Sequence, residues 1–447
     1  METRLEISGH TIGTMRVPGA RGRAALLLWV LAAVATGPGR APGGEGPPPA
    51  AAAEAGAGGG LAYAGKGAEL TPADVLDHGR RATGDPGAKG FAGPVLGYVT
   101  PWNARGYEVA ERYAAKFTHL APVWFQLKAV EATGDLHVAG QHEVNQTWLA
   151  GLRAGPRPPK VVPRVLFELG YKDTLQILMD KDRGKASRTV LYELMKAHGL
   201  DGLVLEVWTQ WGALEDILEV DEEGEGTKTS KEELRRMMLN YLAKLAKGLH
   251  KMNPPRELIL AVPPAIPAKD GNQVFEPEVF DLLADRVDGF SVMTYDASSG
   301  LDPGANAPLA WVGESLSELL TRKSCSADGT CTFEKADAAI GRRVLVGLNF
   351  YGKEYMLSNK RGRDIVAREF IRILRKETTT NNGTLLWDEE THEHVFKYGL
   401  PNVGSDFEVW YPTPRSVRAR MDLAASWGAG VAIWEVGQGL EWLFDLL

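Results

Sequence analysis

The sequence has few cysteines, no long uninterrupted apolar run and no excess of positive charge. Cys325 and Cys331 are its only cysteines, and a zinc site needs more ligands than these two. The formal net charge of -7 would repel nucleic acid phosphates, and no basic stripe is interleaved with aromatic residues. We therefore predict no metal site and no nucleic-acid partner.

The most apolar stretch, residues 24–34, is too short to cross a membrane as a helix and follows three arginines. A positive segment before a short apolar core is typical of a signal peptide. We predict such a targeting segment in residues 1–35, with Met1 or Met15 as the start, and no stable membrane insertion. A signal anchor is the alternative. The predicted location is secreted or lumenal.

The two cysteines and two sequons bear on this location. Cys325 and Cys331 flank a short segment in which Gly329 allows a tight turn. In an oxidising compartment this spacing favours a disulfide, and two free thiols are the alternative. Asn145 and Asn382 each begin an Asn-X-Thr glycosylation signal, which matters only after secretion.

The chain changes character near residue 93. Residues 36–67 are rich in Gly, Ala and Pro and have few large apolar side chains, so they cannot offset the entropy of ordering. We predict a disordered linker and lead-in over 36–92. From 93 to 447, short β-rich runs alternate with segments of helical period, which indicates repeated βαβ units.

Eight of these runs predict strands, at residues 95–100, 118–124, 161–166, 202–208, 258–263, 289–296, 344–350 and 430–435. Eight short apolar strands that alternate with helices favour an α/β fold, a closed (β/α)8 TIM barrel. No GxGxxG follows the first strand, and no cluster implies a metal or organic cofactor. The long connections 209–229 and 352–411 would lie on the catalytic face, and the second predicts a small α+β insertion.

Acidic and aromatic residues occur at the predicted strand ends. Alternate side chains of a barrel strand point into the lumen, so Val204, Glu206 and Trp208 are expected to share the inner face. A carboxylate inside a barrel is costly unless it is paired or functional, which makes Glu206 the first candidate for chemistry. The alternative is a structural polar contact of Glu206 with Tyr295 or Arg164.

Tryptophans are frequent at or just after the strand ends. Aromatic faces bury the apolar patches of a pyranose, while carboxylates and amides bind its hydroxyls, so the set favours an oligosaccharide-binding surface. For any single tryptophan, plugging of the barrel mouth is the simpler explanation. The tryptophans concerned are Trp102, Trp124, Trp208, Trp211, Trp311 and Trp434.

Four motifs carry a family resemblance over residues 93–447. They are Asp201-Gly202, Met293-Thr294-Tyr295-Asp296, Gly347-Leu348-Asn349-Phe350-Tyr351-Gly352 and Gly430-Val431-Ala432-Ile433-Trp434, and together they resemble glycoside hydrolase family 18. The resemblance implies that Tyr295 contacts a sugar acetamido carbonyl and that Trp434 forms the floor of the central sugar subsite. The predicted carbohydrate-binding residues are Tyr98, Trp102, Trp124, Glu206, Trp208, Met293, Tyr295, Asp296, Asn349 and Trp434.

The chain departs from the family at the catalytic motif DxxDxDxE. Asp201 matches the first Asp, Val204 and Glu206 replace the next two, and Trp208 stands where the acid should be. The family mechanism is substrate-assisted, so no second protein acid is available. Glu206 lies two residues earlier, about 6.6 Å deeper along the strand at ~3.3 Å per residue. We therefore expect no catalytic residue and no hydrolysis.

The resemblance thus implies a non-hydrolytic, chitinase-like protein of the secretory and endosomal or lysosomal route, with a role in innate defence. A scavenger-type receptor is a partner implied by resemblance alone. One alternative is a weak or altered glycosidase with Glu206 or Glu435 as its acid. Another is a protein-interaction scaffold whose barrel mouth is closed by Trp208 and Trp211.

Overall fold

The computed structural model describes short strand pieces within the first 16 residues, and then residues 59–212, 214, 230–269, 274–325 and 331–447. The early pieces belong to a separate unit, in which Glu2–Thr3 pairs with Met15–Arg16 and Glu6–Ile7 with His10–Thr11. Most of the predicted targeting segment, residues 36–58 and most of the 209–229 connection lie outside the described residues.

Eight parallel strands form a closed barrel, because each strand pairs with the next and the last pairs with the first. All eight predicted strands and the TIM barrel are confirmed. In order, the strands are Val95–Val99, His119–Pro122 with Phe125–Ala129, Lys160–Val161 with Arg164–Phe167, Gly202–Glu206, Glu257–Val262, Gly289–Val292, Val344–Asn349 and Gly430–Trp434.

Helices follow the strands and surround the barrel. In Lys231–His250, for example, the Ser230 hydroxyl accepts a hydrogen bond from the Glu233 amide at the first turn, and one apolar face is buried. The remaining surrounding helices are Ala104–Arg112, Gln146–Ala154, Tyr171–Met179, Lys181–His198, Pro277–Leu283, Leu309–Leu320, Ala338–Gly341 and Pro414–Ser426.

The strands separate two apolar cores. Side chains alternate between the faces of a strand, so Val204 points into the lumen while Leu203 and Leu205 pack outward against helices. We call the outward set, between strands and helices, the outer core. The lumen core contains Leu96, Tyr98, Ala121, Val123, Val162, Val204, Ile259, Ala261, Leu345 and Ala432.

The predicted α+β insertion after the seventh strand is confirmed. Helix Ala367–Thr380 packs with a five-stranded antiparallel sheet, and we call this unit the insertion lobe. In spatial order its strands are Arg361–Ile365, Gly352–Met356, Ser405–Trp410, Glu393–Leu400 and Thr384–Asp388.

Two further strands, Thr321–Cys325 and Cys331–Lys335, form an antiparallel hairpin. Its register places Cys325 directly opposite Cys331. Opposite residues of an antiparallel pair have Cα atoms about 4.5–5.5 Å apart, which is within the range that a disulfide spans. The disulfide stays a prediction.

The folded part begins earlier than residue 93, where the sequence placed its start. The described segment 59–92 contains the 3-10 turn Gly60–Tyr63 and the helix Pro72–His78. Its backbone is held by the buried Asp445 carboxylate, which accepts hydrogen bonds from the amides of Gly60, Thr83 and Gly84. The composition of residues 59–92 reflects only the side chains of that segment. It could not show that the carboxylate of Asp445, far away in the sequence, binds the backbone of the segment.

This contact predicts a large cost for Asp445→Ala. Removal of the carboxylate leaves three backbone donors without an acceptor, and we expect the free energy of unfolding to fall by about 3 kcal/mol. Urea denaturation measures it. The control is Asp85→Ala, because among the described residues the Asp85 carboxylate accepts a hydrogen bond only from the nearby Gly87 amide, in an exposed turn. Equal losses in the two variants would contradict the anchoring role.

Candidate functional site

The candidate site lies at the carboxyl ends of the barrel strands, where inward side chains from several strands meet. We call five of these residues the mouth cluster. Arg164 and Glu206 come from the third and fourth strands, Tyr98 from the first and Trp434 from the eighth, and Tyr295 follows the sixth. The period-two alternation that directs Val204 inward also directs Glu206 inward.

An ion pair joins the third and fourth strands inside the mouth cluster. Arg164 Nε donates to Glu206 Oε2 at 2.6 Å, and the two side chains are only 11% and 16% exposed. Burial lowers the pKa of Arg164, but the attraction of Glu206 outweighs it, and the net effect raises that pKa. Glu206 thus makes one of the polar contacts considered for it from the sequence.

Two aromatic rings lie beside this pair. The Tyr98 hydroxyl donates to Ser291 Oγ at 2.9 Å, and its ring centroid is 5.1 Å from that of Trp434 at an angle of 58°. Burial raises the pKa of Tyr98, so its hydroxyl stays protonated. The ring of Tyr98 packs against the partly exposed indole of Trp434.

The residues after the sixth strand connect the mouth to the insertion lobe. Asp296 accepts hydrogen bonds from the Tyr351 hydroxyl and from Lys353, whose Nζ lies 2.9 Å from Asp296 Oδ1 and 3.0 Å from Asp364 Oδ1. Burial lowers the pKa of Lys353, but the two carboxylates outweigh it and raise that pKa. The Asp296 carboxylate therefore has a structural role, because it binds the insertion lobe.

Three predicted residues complete the rim. Tyr295 is partly buried, its ring lies 6.3 Å from Tyr351, and burial raises its pKa well above the usual value. Asn349 pairs in register with Trp434 and donates from Nδ2 to the Tyr351 carbonyl at 2.9 Å. Met293, two residues before Tyr295, is partly exposed.

Trp208 does not point into the lumen, and that prediction is wrong. The fourth strand ends at Glu206 and residues 208–212 are helical, so the alternation stops before Trp208. Trp208 instead packs in the outer core against Phe275, with ring centroids 5.1 Å apart. Trp211 is also buried there, so neither residue closes the barrel mouth.

Trp124 is likewise placed in the outer core rather than at the mouth. It is 1% exposed, and its Nε1 donates to the Tyr107 hydroxyl at 2.7 Å. Trp311 is partly buried and donates to carbonyls of the loop after the fifth strand. Trp102, in contrast, is 53% exposed in the turn after the first strand. Trp102 and Trp434 are thus the two predicted tryptophans that offer ring surface near the strand ends.

Glu435, the alternative acid, has no exposed surface. It accepts hydrogen bonds from Asn103 Nδ2 and from the Gly437 amide, at the start of helix Ala104–Arg112. Burial raises the pKa of Glu435 to about 7, although these hydrogen bonds act in the opposite direction. This carboxyl group therefore ties the eighth strand to the first helix.

Sequence reasoning missed Ser291 and Lys353. Ser291 lies within an apolar predicted strand, and Lys353 comes just after another. A polar residue in such a run of buried positions was the signal that could have indicated each of them. Asn145 and Asn382, the predicted glycosylation positions, are both exposed, and the Asn145 side chain also accepts from the Trp148 amide at 2.9 Å. Their glycosylation stays a prediction.

Within the described part of the chain, no group of three or more His, Cys, Asp or Glu side chains is arranged to hold a metal ion. Among its helices, none combines the length and the apolar character needed to cross a membrane.

Comparison with known proteins places this geometry in a family context. Residues 166–439 match the family described as Glycosyl hydrolases family 18. A chitinase from Chromobacterium violaceum is similar in structure with a TM-score of 0.58 and 20% identity, covering 79% of this chain and 98% of that one.

Two other solved structures share the fold. The spore cortex-lytic enzyme SleL of Bacillus megaterium has a TM-score of 0.57 and 16% identity, covering 79% of this chain and 73% of that one. The Group IV chitinase of Ostrinia furnacalis, solved in complex with allosamidin, has a TM-score of 0.55 and 15% identity, covering 79% and 97%. At these identities the likeness establishes the barrel fold alone.

The Arg164–Glu206 pair predicts that Arg164→Met strongly destabilises the folded chain. This change leaves the Glu206 charge buried without a partner, and we expect the free energy of unfolding to fall by roughly 3–5 kcal/mol. Addition of Glu206→Gln should recover much of the loss. The control is Lys128→Met, which breaks a more exposed pair with Glu168 and should cost at most about 1 kcal/mol. Similar losses for both single variants in urea denaturation would argue against a buried pair.

The raised pKa of Glu435 predicts a pH dependence of stability. The unfolded chain ionises this group near 4.5 and the folded chain near 7, so the stabilisation that this group contributes is fully present below 4.5 and is lost as the pH rises through 7. The expected loss from this group is on the order of 3 kcal/mol. Denaturation between pH 4 and 8 should show a flatter profile in Glu435→Gln and the original profile in Glu131→Gln, which alters an exposed residue. An unchanged slope in Glu435→Gln would refute this assignment.

Proposed function

The chain belongs to glycosyl hydrolase family 18, and we propose that it binds an oligosaccharide at the barrel mouth without hydrolysing it. The observation that carries this proposal is the make-up of the mouth cluster. Aromatic rings and hydrogen-bonding groups suited to a sugar are present, while Trp208, at the position of the family acid, is buried in the outer core.

The aromatic part supports saccharide binding. The partly exposed Trp434 ring rests on Tyr98, and Trp102 is the most exposed tryptophan described. Such faces cover the apolar CH patches of a pyranose. Glu206 and Tyr295 lie nearby as groups that can accept or donate hydrogen bonds to sugar hydroxyls. A chito-oligosaccharide is the first ligand to test, because the structurally similar proteins include enzymes named as chitinases.

The charged residues of the site support binding without turnover. A general acid must carry a proton and lie within hydrogen-bond reach of the leaving oxygen. Glu206 is engaged by the Arg164 guanidinium at 2.6 Å, and a carboxylate in such a pair accepts hydrogen bonds rather than delivering a proton. Glu435 is fully buried and cannot contact a ligand in the mouth.

The sequence resemblance extends this proposal to the biological setting. Four runs resemble chitinase domain-containing protein, also called stabilin-interacting chitinase-like protein, and they are residues 96–103, 201–208, 306–309 and 434–440. On that resemblance we propose a secreted, endosomal or lysosomal location, a role in innate defence and a scavenger-type receptor as a second partner.

The binding proposal predicts that Trp434→Ala weakens the affinity for chitotetraose at least tenfold. Loss of one stacked ring removes on the order of 1.5 kcal/mol or more. Titration of the full chain, followed by tryptophan fluorescence and by calorimetry, measures the dissociation constant. Leu282→Ala is the control, because Leu282 is an exposed apolar residue on an outer helix, and this change should leave affinity unchanged.

The absence of turnover needs a separate assay. Chitotetraose incubated with the full chain for a day should release no shorter product. Product that disappears in Glu206→Gln would establish the glycosidase alternative. An absence of both binding and product for every glycan tried would instead favour a protein-interaction scaffold, without the closure by Trp208 and Trp211 that the sequence predicted.

A further inference from the structure

We infer that the saccharide bound at the mouth is acidic, with a carboxylate that Arg164 receives. This inference rests on the proposed function, because it concerns the ligand of the same site. It goes further by assigning a residue and a substrate class that the family fold alone does not specify.

Arg164 is nine-tenths buried and uses only one of its three nitrogens. Nε donates to Glu206, whereas Nη1 and Nη2 have no hydrogen-bond partner among residues 59–212, 230–269, 274–325 and 331–447. The side chain keeps 11% of its surface open. Four N–H donors of a buried cation are therefore available to a ligand that enters the mouth.

The neighbouring carboxylates do not account for these donors. Glu206 already gives Arg164 one oxygen, and Asp296 is held by Lys353 and Tyr351 on the side of the insertion lobe. Tyr295 adds to the donors, because within the described ranges its hydroxyl has no partner either. Arg164 and Tyr295 thus present hydrogen-bond donors on the inner wall of the mouth that no described residue uses.

The hydrogen-bonding groups at this depth of the mouth differ from those that the family motif provides. The second Asp of DxxDxDxE is Val204 in this chain, which removes one acceptor, and the third is Glu206, which is paired. Arg164, on the adjacent strand, adds donors at the same depth as Val204. A ligand that fits must accept hydrogen bonds there.

A carboxylate satisfies this requirement better than a hydroxyl does. The planar guanidinium presents parallel N–H groups that match the two oxygens of a carboxylate, and such charge-assisted bonds are about twice as strong as neutral ones. The carboxylate could belong to a lactyl ether on an amino sugar or to a uronic acid, and the chemistry at Arg164 is the same.

The test compares three tetrasaccharides in titrations of the full chain. The first alternates N-acetylglucosamine with its 3-O-lactyl derivative and carries free carboxylates. The second is the methyl ester of the first, which keeps the shape and removes the charge. The third is tetragalacturonate, in which the carboxylate is part of each ring. We expect an acid to bind about tenfold or more tightly than the neutral ester at low salt.

Two variants link this preference to Arg164. In the double variant Arg164→Gln with Glu206→Gln, neutral amides replace the pair, and the preference should disappear, so that the acid and the ester bind with equal affinity. In Glu206→Gln alone, Arg164 loses its competing carboxylate, and the preference should increase. Near-ultraviolet circular dichroism checks the fold of each variant. If the double variant does not fold, the Glu206→Gln result decides.

Each outcome has a separate meaning. Preference for the lactyl acid or for tetragalacturonate, lost in the double variant, supports the inference and identifies the source of the carboxylate. Equal affinity for acid and ester, or a preference that survives in the double variant, overturns it and leaves the proposed function intact, because chitotetraose and the ester still bind. Failure of all saccharides to bind overturns both.

Discussion

The closure of eight parallel strands into one barrel is the constraint on which the other features depend. Closure divides each strand into a lumen face and an outer face, and it gathers all carboxyl ends at one mouth. Val204 and Glu206 therefore share the lumen with Arg164 and Tyr98. Side chains that follow the last extended residue are no longer subject to this alternation, which explains why Trp208 packs outside.

Carboxylates hold the remaining parts to this barrel. Asp445 secures the segment 59–92, Glu435 joins the eighth strand to the first helix, and Asp296 with Lys353 binds the insertion lobe. Each acts as an acceptor for donors that are far away in the sequence. A buried acid close to the mouth is therefore insufficient evidence for catalysis, because its hydrogen bonds show what it does.

The mouth combines an aromatic pair with an ion pair. The ring of Trp434 on Tyr98 suits stacking on a sugar, whereas the fourth strand contributes an ion-paired glutamate. Membership of glycosyl hydrolase family 18 explains the scaffold and the position of the site. It does not specify the chemistry, since function depends on the particular side chains that a fold presents.

The sequence alone determined the eight strands, the barrel, the insertion lobe and the inward position of Glu206. These features follow from local patterns, namely apolar runs of strand length and period-two alternation. Only the tertiary structure decided that Arg164 pairs with Glu206, that Trp124 lies in the outer core and that Asp445 holds the segment from Gly59. Such contacts join residues distant in the chain, so strand register, turn geometry and long-range packing decide them.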